Sequence, residues 1–419
     1  MPTTLGRTLT AAAGTLLLIT AVAACGATPA PQGSGNVSES PSAPATSGGQ
    51  PSGTPSKTPP PAADPVELSA NVKDGASKVT VDTVVKVKAQ AGKLTKVKLA
   101  YSYTDQKGQR EKGTVRGALS KDGASWTAAE RLEPSGKYKL TMVGRNADKG
   151  SATKTASFTT HNLSLDQQTF PTFYPLKGSK VGIGMPVVLN FDVPVKNKAE
   201  FEKNLQITTS PTQIGTWRWF SDTEVRYRPK DYWKPGTKVT VKANVNGVKA
   251  GNGVYGQSSA KTSFTVGRSF KIRVNLASDV AKVYKNGKKV RTIYVSGGKP
   301  GWATRSGIKL IMAKEYNKKM TNEMIGAKED YSLTAAYAMR ITNSGEFLHS
   351  APWNSAYFGR SNASHGCVGM SNGDARWLIN QTLIGDPVIT TGSSKGMEDG
   401  NGYSDWNLPY KQYKKGSAL

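Results

Sequence analysis

Apolar and polar residues alternate with a period of two along much of the region from residue 66 to residue 312. This alternation is typical of half-buried β-strands rather than of helices. In residues 65–161 the alternating runs are short, and turn signals such as Lys121-Asp122-Gly123 and Pro134-Ser135-Gly136 separate them. Regularly spaced short strands of this kind predict an antiparallel, immunoglobulin-like (Ig-like) β-sandwich.

The same style continues with different residues over 162–267, which predicts a second Ig-like β-sandwich. Neither segment concentrates reactive side chains, so we interpret both as spacers that orient a third domain. That third domain is expected over 268–393 and to be mainly β with short helices. Its hairpin is indicated by Asn286-Gly287 and its best helix by residues 372–380.

Two further segments are predicted to cover the site and to pack against the domains. Residues 313–335 follow a strand-like run and are long for a loop, so we expect a lid over the site. Residues 394–419 place Trp406, Tyr410 and Tyr413 at the spacing of one helical face. We expect this C-terminal segment to pack against the rest of the protein.

The N-terminus carries an export signal. Arg7 precedes an apolar run from Ala11 to Ala24, which has the length of a signal-peptide core and is short for a membrane span. It ends in Val22-Ala23-Ala24-Cys25 and resembles a bacterial lipobox, so residues 1–25 are interpreted as a lipoprotein signal with Cys25 as the lipidated residue. An ordinary secretory signal is the alternative. Residues 26–64 are rich in Pro, Ser, Gly and Thr, which predicts a disordered tether between the membrane and the folded domains.

The chain has a formal net charge of +27, with 56 Lys and Arg against 29 Asp and Glu. A strongly basic surface favours polyanionic partners. Because the export signal places the folded part outside the cytoplasm, no nucleic acid is expected, and anionic lipid head groups and acidic cell-wall polymers are the polyanions available there. The lysines are spread along strands, as in Lys86, Lys88, Lys93, Lys96 and Lys98, so we interpret most of them as a solvated, solubilising face. The expected location is extracytoplasmic, lipid-anchored to the cell membrane and facing the cell wall.

The chemistry of the chain centres on Cys367, one of two cysteines, which lies in the run Ser364-His365-Gly366-Cys367. A free thiol is mostly protonated at neutral pH, and an imidazole can take its proton to leave a thiolate–imidazolium pair. His349 and His365 are both near in sequence. Gly366 allows a tight turn that exposes backbone N–H groups to a developing oxyanion.

Three interpretations of this cluster are open from the residues themselves. Cys367 could be a buried inert cysteine, or it could join His349 and His365 in a metal site that lacks an obvious fourth ligand. It could also be the nucleophile of an acyltransferase, which the chemistry favours and which needs neither metal nor cofactor.

The two motifs His349-Ser350-Ala351-Pro352-Trp353 and Ser364-His365-Gly366-Cys367 resemble the signature of L,D-transpeptidases with a YkuD-type catalytic domain. The larger actinobacterial members also carry two Ig-like domains before the catalytic one. Residues 219–222, 232–233 and 405–409 resemble the corresponding parts of that family. The resemblance therefore extends over the mature chain.

This resemblance implies a specific reaction. Cys367 would attack the third residue of a peptidoglycan tetrapeptide stem, expel the terminal D-Ala, and pass the acyl group to an acceptor stem as a 3→3 cross-link. His349 would be the base, oriented by the backbone carbonyl of Ser350, and the N–H groups of Gly366 and Cys367 would bind the oxyanion. The remaining residues implied in the site, as shaping or substrate-binding groups, are His365, Ser364, Tyr331, Met320 and Trp353.

The family resemblance also implies acylation of Cys367 by carbapenem β-lactams. One departure concerns substrate contacts, because many members have Asn two residues after the cysteine and this chain has Gly369. Two rival functions remain. One is an L,D-carboxypeptidase that uses water as acceptor, and the other is a non-enzymatic wall-binding lipoprotein in which the Ig-like domains bind and the thiol has no role.

Overall fold

The computed structural model describes residues 62–105, 108–324, 326, 328 and 330–419. The predictions for residues 1–25, including a lipid on Cys25, and for the tether up to residue 61 lie outside the described residues. Within them the protein is mainly β, with two Ig-like β-sandwiches followed by a third β domain with short helices. Among the described residues, no helix has the length and apolarity needed to cross a membrane.

The first Ig-like domain consists of two four-stranded sheets, in the orders β1-β2-β6-β5 and β4-β3-β7-β8. Its core forms because Leu99, Leu140 and Phe158 alternate onto the inner faces of the strands. The strands are β1 (Glu67–Ala70), β2 (Lys86–Gln90), β3 (Lys93–Thr104), β4 (Arg110–Val115), β5 (Gly117–Leu119), β6 (Ser125–Ala128), β7 (Lys137–Arg145) and β8 (Ser151–Thr159).

The second Ig-like domain has sheets in the orders β10-β12-β15-β14, β11-β19-β16-β13 and β17-β18-β9. Trp233, which is fully buried, donates from its indole nitrogen to the carbonyl oxygen of Met185 at 2.7 Å. The elements are β9 (Gln168–Thr169), β10 (Pro171–Tyr174), β11 (Lys180–Val181), β12 (Val187–Phe191), α1 (Lys198–Glu202), β13 (Leu205–Ser210), β14 (Gly215–Trp219), β15 (Glu224–Pro229), β16 (Lys238–Ala243), β17 (Lys249–Gly251), β18 (Val254–Gly256) and β19 (Ala260–Val266).

Polar contacts join the two Ig-like domains. Lys249 lies 2.9 Å from Asp82, and Asn246 donates to the Glu133 carboxylate at 2.8 Å. His161, which the sequence places at the junction, contacts the edge of the Tyr255 ring at 5.4 Å between centroids.

The third domain packs a five-stranded sheet, β22-β21-β20-β28-β23, against a four-stranded sheet, β24-β25-β26-β27. Asn286 and Gly287 join β21 to β22 with positive φ values of 50° and 83°, as the hairpin motif predicts. The elements are β20 (Phe270–Asn275), β21 (Val280–Lys285), β22 (Lys288–Tyr294), β23 (Gly307–Leu310), β24 (Ala313–Thr321), β25 (Ser332–Arg340), β26 (Phe347–Ser350), β27 (Val368–Met370), α2 (Asn372–Gln381), β28 (Pro387–Thr391) and α3 (Tyr410–Tyr413).

The expectation of a long loop over residues 313–335 is wrong in one respect. Most of this segment is strand, because β24 pairs with β25 as an antiparallel hairpin in a register that sets Met320 opposite Leu333. Only the connection between residues 321 and 332 lies outside the two strands. The polar residues of β24 mislead because this strand is the edge of its sheet and stays largely accessible to solvent.

The C-terminal segment packs on the second Ig-like domain. Trp406 lies against Tyr232 with ring centroids 4.3 Å apart and donates to the carbonyl oxygen of Gly184 at 2.7 Å. Tyr413 is fully buried and donates to Asp405 at 2.7 Å. Helix α3 is shorter than the aromatic spacing suggests, since Trp406 lies in a separate 3₁₀ turn.

Candidate active site

Two neighbouring strands bring the histidine and the cysteine motifs together. Strands β26 and β27 run parallel, with His349 opposite Gly369 and Leu348 opposite Val368. Cys367 is the residue immediately before β27. Since paired strands lie about 4.8 Å apart, this register holds the Cys367 backbone beside the strand that carries His349.

A cavity of about 230 Å³ opens at this point of the four-stranded sheet. Its lining includes the cysteine, both histidines of the motifs and the other side chains that the sequence implicates: Met320, Tyr331, His349, Trp353, Ser364, His365 and Cys367. Gly366 lines a smaller cavity on the other side of His365. Ser350 is fully buried behind His349.

His349 is held in one orientation by its own strand. Its Nδ1 lies 2.8 Å from the carbonyl oxygen of Ser350. A carbonyl can only accept, so this contact places the proton on Nδ1 and leaves Nε2 as a lone-pair acceptor. Burial lowers the pKa of His349 to about 4, against a smaller opposing effect of the Ser350 contact. At neutral pH the imidazole is therefore uncharged, and its Nε2 can accept a proton.

Cys367 is partly buried, and its Sγ donates to the carbonyl oxygen of Gly345 at 3.5 Å. Burial raises the pKa of the Cys367 thiol to about 12, while the backbone of Phe347 lowers it by less. Both pKa directions favour a neutral thiol and a neutral imidazole in the free protein. This differs from the thiolate–imidazolium pair expected from the sequence, because burial disfavours both charged forms.

The loop before the nucleophile is tied by the Ser364 hydroxyl. This hydroxyl donates to the carbonyl oxygen of Cys367 at 2.6 Å and accepts from the N–H of Gly366 at 3.1 Å. Gly366 has a φ of +113°, a conformation that residues with a Cβ rarely adopt. One of the two N–H groups implied as oxyanion donors is thus engaged in a hydrogen bond in the free protein.

The side chains around the pair form the walls of the cavity. The His365 ring stacks on Tyr331 at 5.2 Å and meets the edge of Trp302 at 5.2 Å. The Trp353 ring lies 6.0 Å from that of His349 and is 38% exposed. Met320 packs in a small cluster with Phe347, Tyr331 and Cys367.

Gly369, the departure from the family pattern, does not line the main cavity. A Cβ built on it would lie 3.0 Å from the Cβ of Ala351. The backbone of Gly369 also forms a pair of hydrogen bonds with Ser296, at 2.9 and 3.0 Å. Local packing therefore favours glycine at this position.

Sequence reasoning missed a buried charge cluster behind the thiol. Lys309, which is fully buried, lies 2.8 Å from Glu346, and Arg305 lies 3.0 Å from the same carboxylate. Glu346 directly follows Gly345, the acceptor of the Cys367 thiol. Burial lowers the pKa of Lys309, although Glu346 acts in the opposite direction. A signal was present for one partner, because Lys309 interrupts the apolar run Ile308–Met312.

The described residues contain no group of three or more His, Cys, Asp or Glu side chains arranged to hold a metal ion. The geometry presents a thiol and an oriented imidazole with a lone pair on Nε2, both lining one cavity of about 230 Å³. These are the parts that acyl transfer through a covalent intermediate requires.

Two family descriptions match the chain. Residues 76–249 match "Bacterial Ig domain", and residues 269–390 match "L,D-transpeptidase catalytic domain". The second match contains both histidines and the cysteine of the cavity.

Known relatives agree with these matches. The chain is 33% identical to L,D-transpeptidase 2 of Mycobacterium tuberculosis over 357 residues, which covers 84% of this chain and 85% of the relative. It is 29% identical to L,D-transpeptidase 5 of the same species, covering 87% and 79% of the two chains. A solved L,D-transpeptidase structure in complex with imipenem is 32% identical and covers 52% of this chain and 97% of its own, with a TM-score of 0.47. Because a relative that is 33% identical matches over most of both chains, the protein belongs to the L,D-transpeptidase family.

Proposed function

We propose that the protein cross-links peptidoglycan by 3→3 L,D-transpeptidation through a thioester on Cys367. The observation that carries the proposal is the shared cavity of Cys367 and His349, in which Ser350 fixes the imidazole with Nε2 free. A nucleophile beside an oriented base is the arrangement that covalent acyl transfer uses.

The first half-reaction forms the thioester. The Cys367 proton passes to Nε2 of His349 as the sulfur attacks the carbonyl carbon between the third residue of a tetrapeptide stem and the terminal D-Ala. The resulting oxyanion accepts a hydrogen bond from the N–H of Cys367 and a second from the N–H of Gly366, which exchanges the Ser364 hydroxyl for the oxyanion at this step. When the carbon–nitrogen bond breaks, His349 returns the proton to the amine of D-Ala, which leaves.

The second half-reaction transfers the acyl group. The side-chain amine of a diamino acid on a neighbouring stem attacks the thioester carbon and loses a proton to Nε2 of His349. The carbon–sulfur bond then breaks, the sulfur takes the proton back, and an amide joins the two third residues. Because the free protein holds a neutral thiol and a neutral imidazole, it starts and ends each cycle without net charge on the pair.

The other residues have supporting roles in this proposal. Ser364 holds the turn, so the oxyanion donors are placed by its two hydrogen bonds. His365 is a wall residue held between two aromatic rings rather than a base. The donor stem contacts the apolar side of the cavity at Tyr331, Met320 and Trp353.

Product analysis with purified stems tests the proposal. Incubation of the protein with tetrapeptide stems should release D-Ala and yield a cross-linked dimer, detected by mass spectrometry. The variants Cys367→Ala and His349→Ala should give neither product. Release of D-Ala with tripeptide as the sole product, at saturating acceptor stem, would instead assign an L,D-carboxypeptidase. Unchanged wall attachment with no product at all would assign a non-enzymatic binder.

Carbapenems supply an independent test of the nucleophile. Their strained lactam carbonyl is an acyl donor, so Cys367 should open the ring and retain the whole inhibitor as a thioester. Intact mass should rise by one inhibitor mass for the parent protein and stay constant for Cys367→Ala. A folded parent protein that gains no mass would count against the proposed chemistry.

The proposal includes a lipid anchor on Cys25 that holds the enzyme at the outer face of the cell membrane. The support is the sequence before Cys25, an apolar run that ends in small residues. Labelling of growing cells with a radioactive fatty acid should mark the protein, and Cys25→Ser should abolish the label. Membrane-bound but unlabelled protein would show that another segment is the anchor.

A further inference from the structure

The first Ig-like domain has a face whose charges are all positive. In the sheet β4-β3-β7-β8 the core residues Leu99 and Leu140 point inward, so the residues between them point outward. We call this outward surface the basic face. Its charged residues are Lys93, Lys96, Lys98, Arg110, Lys112, Lys137, Lys139 and Arg145.

The acidic residues near this sheet lie at its borders or on its other side rather than among the cations of the basic face: Asp74, Asp105, Glu111 and Asp122. Glu111 alternates to the opposite side of β4, where it pairs with Tyr103. Asp74, in the loop beside β8, accepts a hydrogen bond from the N–H of Ser157 at 2.7 Å. In the part of the chain that the structure describes, Lys98, Lys112, Lys137 and Lys139 make no ion pair.

Hydroxyl groups fill the space between the cations. Ser102 lies between Lys112 and Lys137 across three strands, and Thr141 is opposite Lys98. Along β8, Thr155, Ser157 and Thr159 continue the same face. A groove of about 510 Å³ runs over Ser102, Lys137, Lys139 and Ser157 and is bordered by residues 75–77. Its lining also includes the inward-facing residues Tyr101, Tyr138 and Phe158.

The other sheet of the same domain lacks this segregation. Its outward positions mix Glu67 with Lys86 and Lys88, among serine and threonine. A face that only kept the domain soluble would not require all its charges to have one sign, since mixed surfaces serve that purpose.

The second Ig-like domain repeats the arrangement. On the sheet β11-β19-β16-β13, the outward residues include Lys238 opposite Thr265 and Lys242 opposite Lys261. Thr208 and Thr240 lie between them on paired strands, and Lys180 follows at the edge. Because a sheet face of lysines and hydroxyl side chains occurs on two domains of different sequence, we infer that the arrangement has a function.

We propose that the basic face is a non-catalytic attachment site for peptidoglycan strands, whose stem peptides carry repeated carboxylates. Lysine ammonium groups pair with carboxylates as mobile point charges, and the hydroxyls between them hydrogen-bond to sugars. The spacing suits a polymer, because Lys137 and Lys139 lie about 7 Å apart along β7 while Lys112 and Lys137 lie about 10 Å apart across the sheet. The inference rests on the proposed function, since it makes the bound polymer the same one that Cys367 cross-links.

The residues of the face favour a polymer over a bilayer surface. Proteins that bind the membrane interface combine basic residues with inserted apolar or aromatic side chains. The outward positions of this sheet hold Val143 and Ala100 but no Leu, Ile, Phe or Trp. A sheet face without such side chains gains little from contact with lipid.

Co-sedimentation of the full chain with insoluble, protein-free peptidoglycan tests the inference. The variant Lys98→Gln/Lys112→Gln/Lys137→Gln/Lys139→Gln should bind at least about tenfold more weakly, and binding by the parent protein should weaken as salt is raised. The matched control removes the same charge from exposed residues of the catalytic-domain hairpin: Lys282→Gln/Lys285→Gln/Lys288→Gln/Lys289→Gln. It should bind like the parent.

Several outcomes would overturn the inference. Equal losses in the two variants would show that net charge alone drives binding. Loss of binding when phosphate-containing polymers are stripped from the wall would assign the face to those polymers, and stronger binding to vesicles with anionic lipid would assign it to the membrane. Turnover of soluble stems by the basic-face variant should equal that of the parent. Because Cys367→Ala should keep full binding while it loses turnover, failure of attachment and failure of the proposed catalysis are distinguishable.

Discussion

At the scale of single residues, the site combines an oriented imidazole with a protonated thiol. Sequence reasoning placed Cys367, His349 and His365 correctly in one region, because the spacing of the two motifs carries that information. It could not give the protonation states, which depend on burial by residues from three strands. The contact between Cys367 and Gly345 could not be predicted either, because its acceptor is a backbone carbonyl, which every residue has.

The first prediction concerns pH. His349 has a pKa lowered to about 4 and Cys367 one raised to about 12, so the reactive neutral pair persists across the neutral range. The second-order rate of carbapenem acylation should therefore be flat between about pH 6 and pH 9 and fall only toward pH 4 as His349 gains a proton. Stopped-flow absorbance of the lactam measures this rate.

Alkylation of Cys367 by iodoacetamide supplies the control. Because this reaction follows the thiolate, its rate should keep rising up to pH 10 without a plateau. A plateau that begins below pH 8 would demonstrate a resting thiolate and would contradict the neutral pair.

The second prediction concerns Gly366. Its φ of +113° strains any residue with a Cβ, although the nearest atom to such a Cβ is 3.5 Å away. Gly366→Ala should cost about 1–3 kcal/mol of unfolding free energy and slow acylation by displacing the turn before Cys367. Gly373, in helix α2, has open space around it, so Gly373→Ala should be neutral or slightly stabilising. Urea unfolding compares the two, and equal effects would refute the conformational argument.

At the scale of elements, the sequence predicted the turn and the helix whose stability comes from interactions between neighbouring residues. The Asn286-Gly287 turn and helix α2 are specified by their own residues, including the Ser371 cap, which accepts from the N–H of Asp374 at 3.1 Å. The hairpin β24–β25 was missed because its stability comes from pairing at a sheet edge. Its polar pattern therefore resembles that of a loop.

The third prediction concerns the buried ion pair between β23 and the start of β26. Removing the cation in Lys309→Met leaves the Glu346 carboxylate in a buried position with Arg305 alone, and should cost about 3–5 kcal/mol. The double variant Lys309→Met/Glu346→Leu should recover part of that loss, because both buried charges are removed while Arg305 keeps its ion pair with Glu398. Chemical denaturation of all four members of the cycle measures the coupling.

An exposed pair serves as the control for this cycle. Arg116 and Glu130 lie 3.4 Å apart with side chains 87% and 58% exposed. Arg116→Met should change the unfolding free energy by less than about 1 kcal/mol. If Lys309→Met proved equally mild, the buried pair would not stabilise this part of the fold.

At the scale of the whole molecule, alternation predicted three β units, and composition predicted a basic surface. The alternation did not reveal how the C-terminal segment joins the second Ig-like domain to the catalytic domain. On the catalytic side Asn407 accepts from the N–H of Ile308 and donates to its carbonyl oxygen, both at 2.7 Å. On the side of the second Ig-like domain the contact depends on Arg226 and Arg228, which strand periodicity places outward and the fold buries. Arg226 pairs with Asp405 at 3.0 Å, and Arg228 lies over the rings of Trp406 and Tyr413.

The fourth prediction concerns the contact of the C-terminal segment with the second Ig-like domain and the catalytic domain. Trp406→Ala removes the ring between Tyr232 and Arg228 together with the hydrogen bond to Gly184, so it should lower the melting temperature. It should also split the unfolding of the second Ig-like and catalytic domains into two calorimetric transitions, since their contact weakens. Tyr316→Ala, at a side chain 58% exposed, should leave the transitions unchanged. A single unshifted transition in Trp406→Ala would show that the segment does not couple the domains.

The position of Asp405 along the chain also sets an order of events during synthesis. Arg226 lies 179 residues ahead of Asp405 and therefore leaves the ribosome long before its partner is made. A nascent chain keeps Arg226 and Arg228 without their final partners until the segment that contains Asp405, Trp406 and Tyr413 has been synthesised. Chains that stop before residue 405 would expose this cationic surface of the second Ig-like domain.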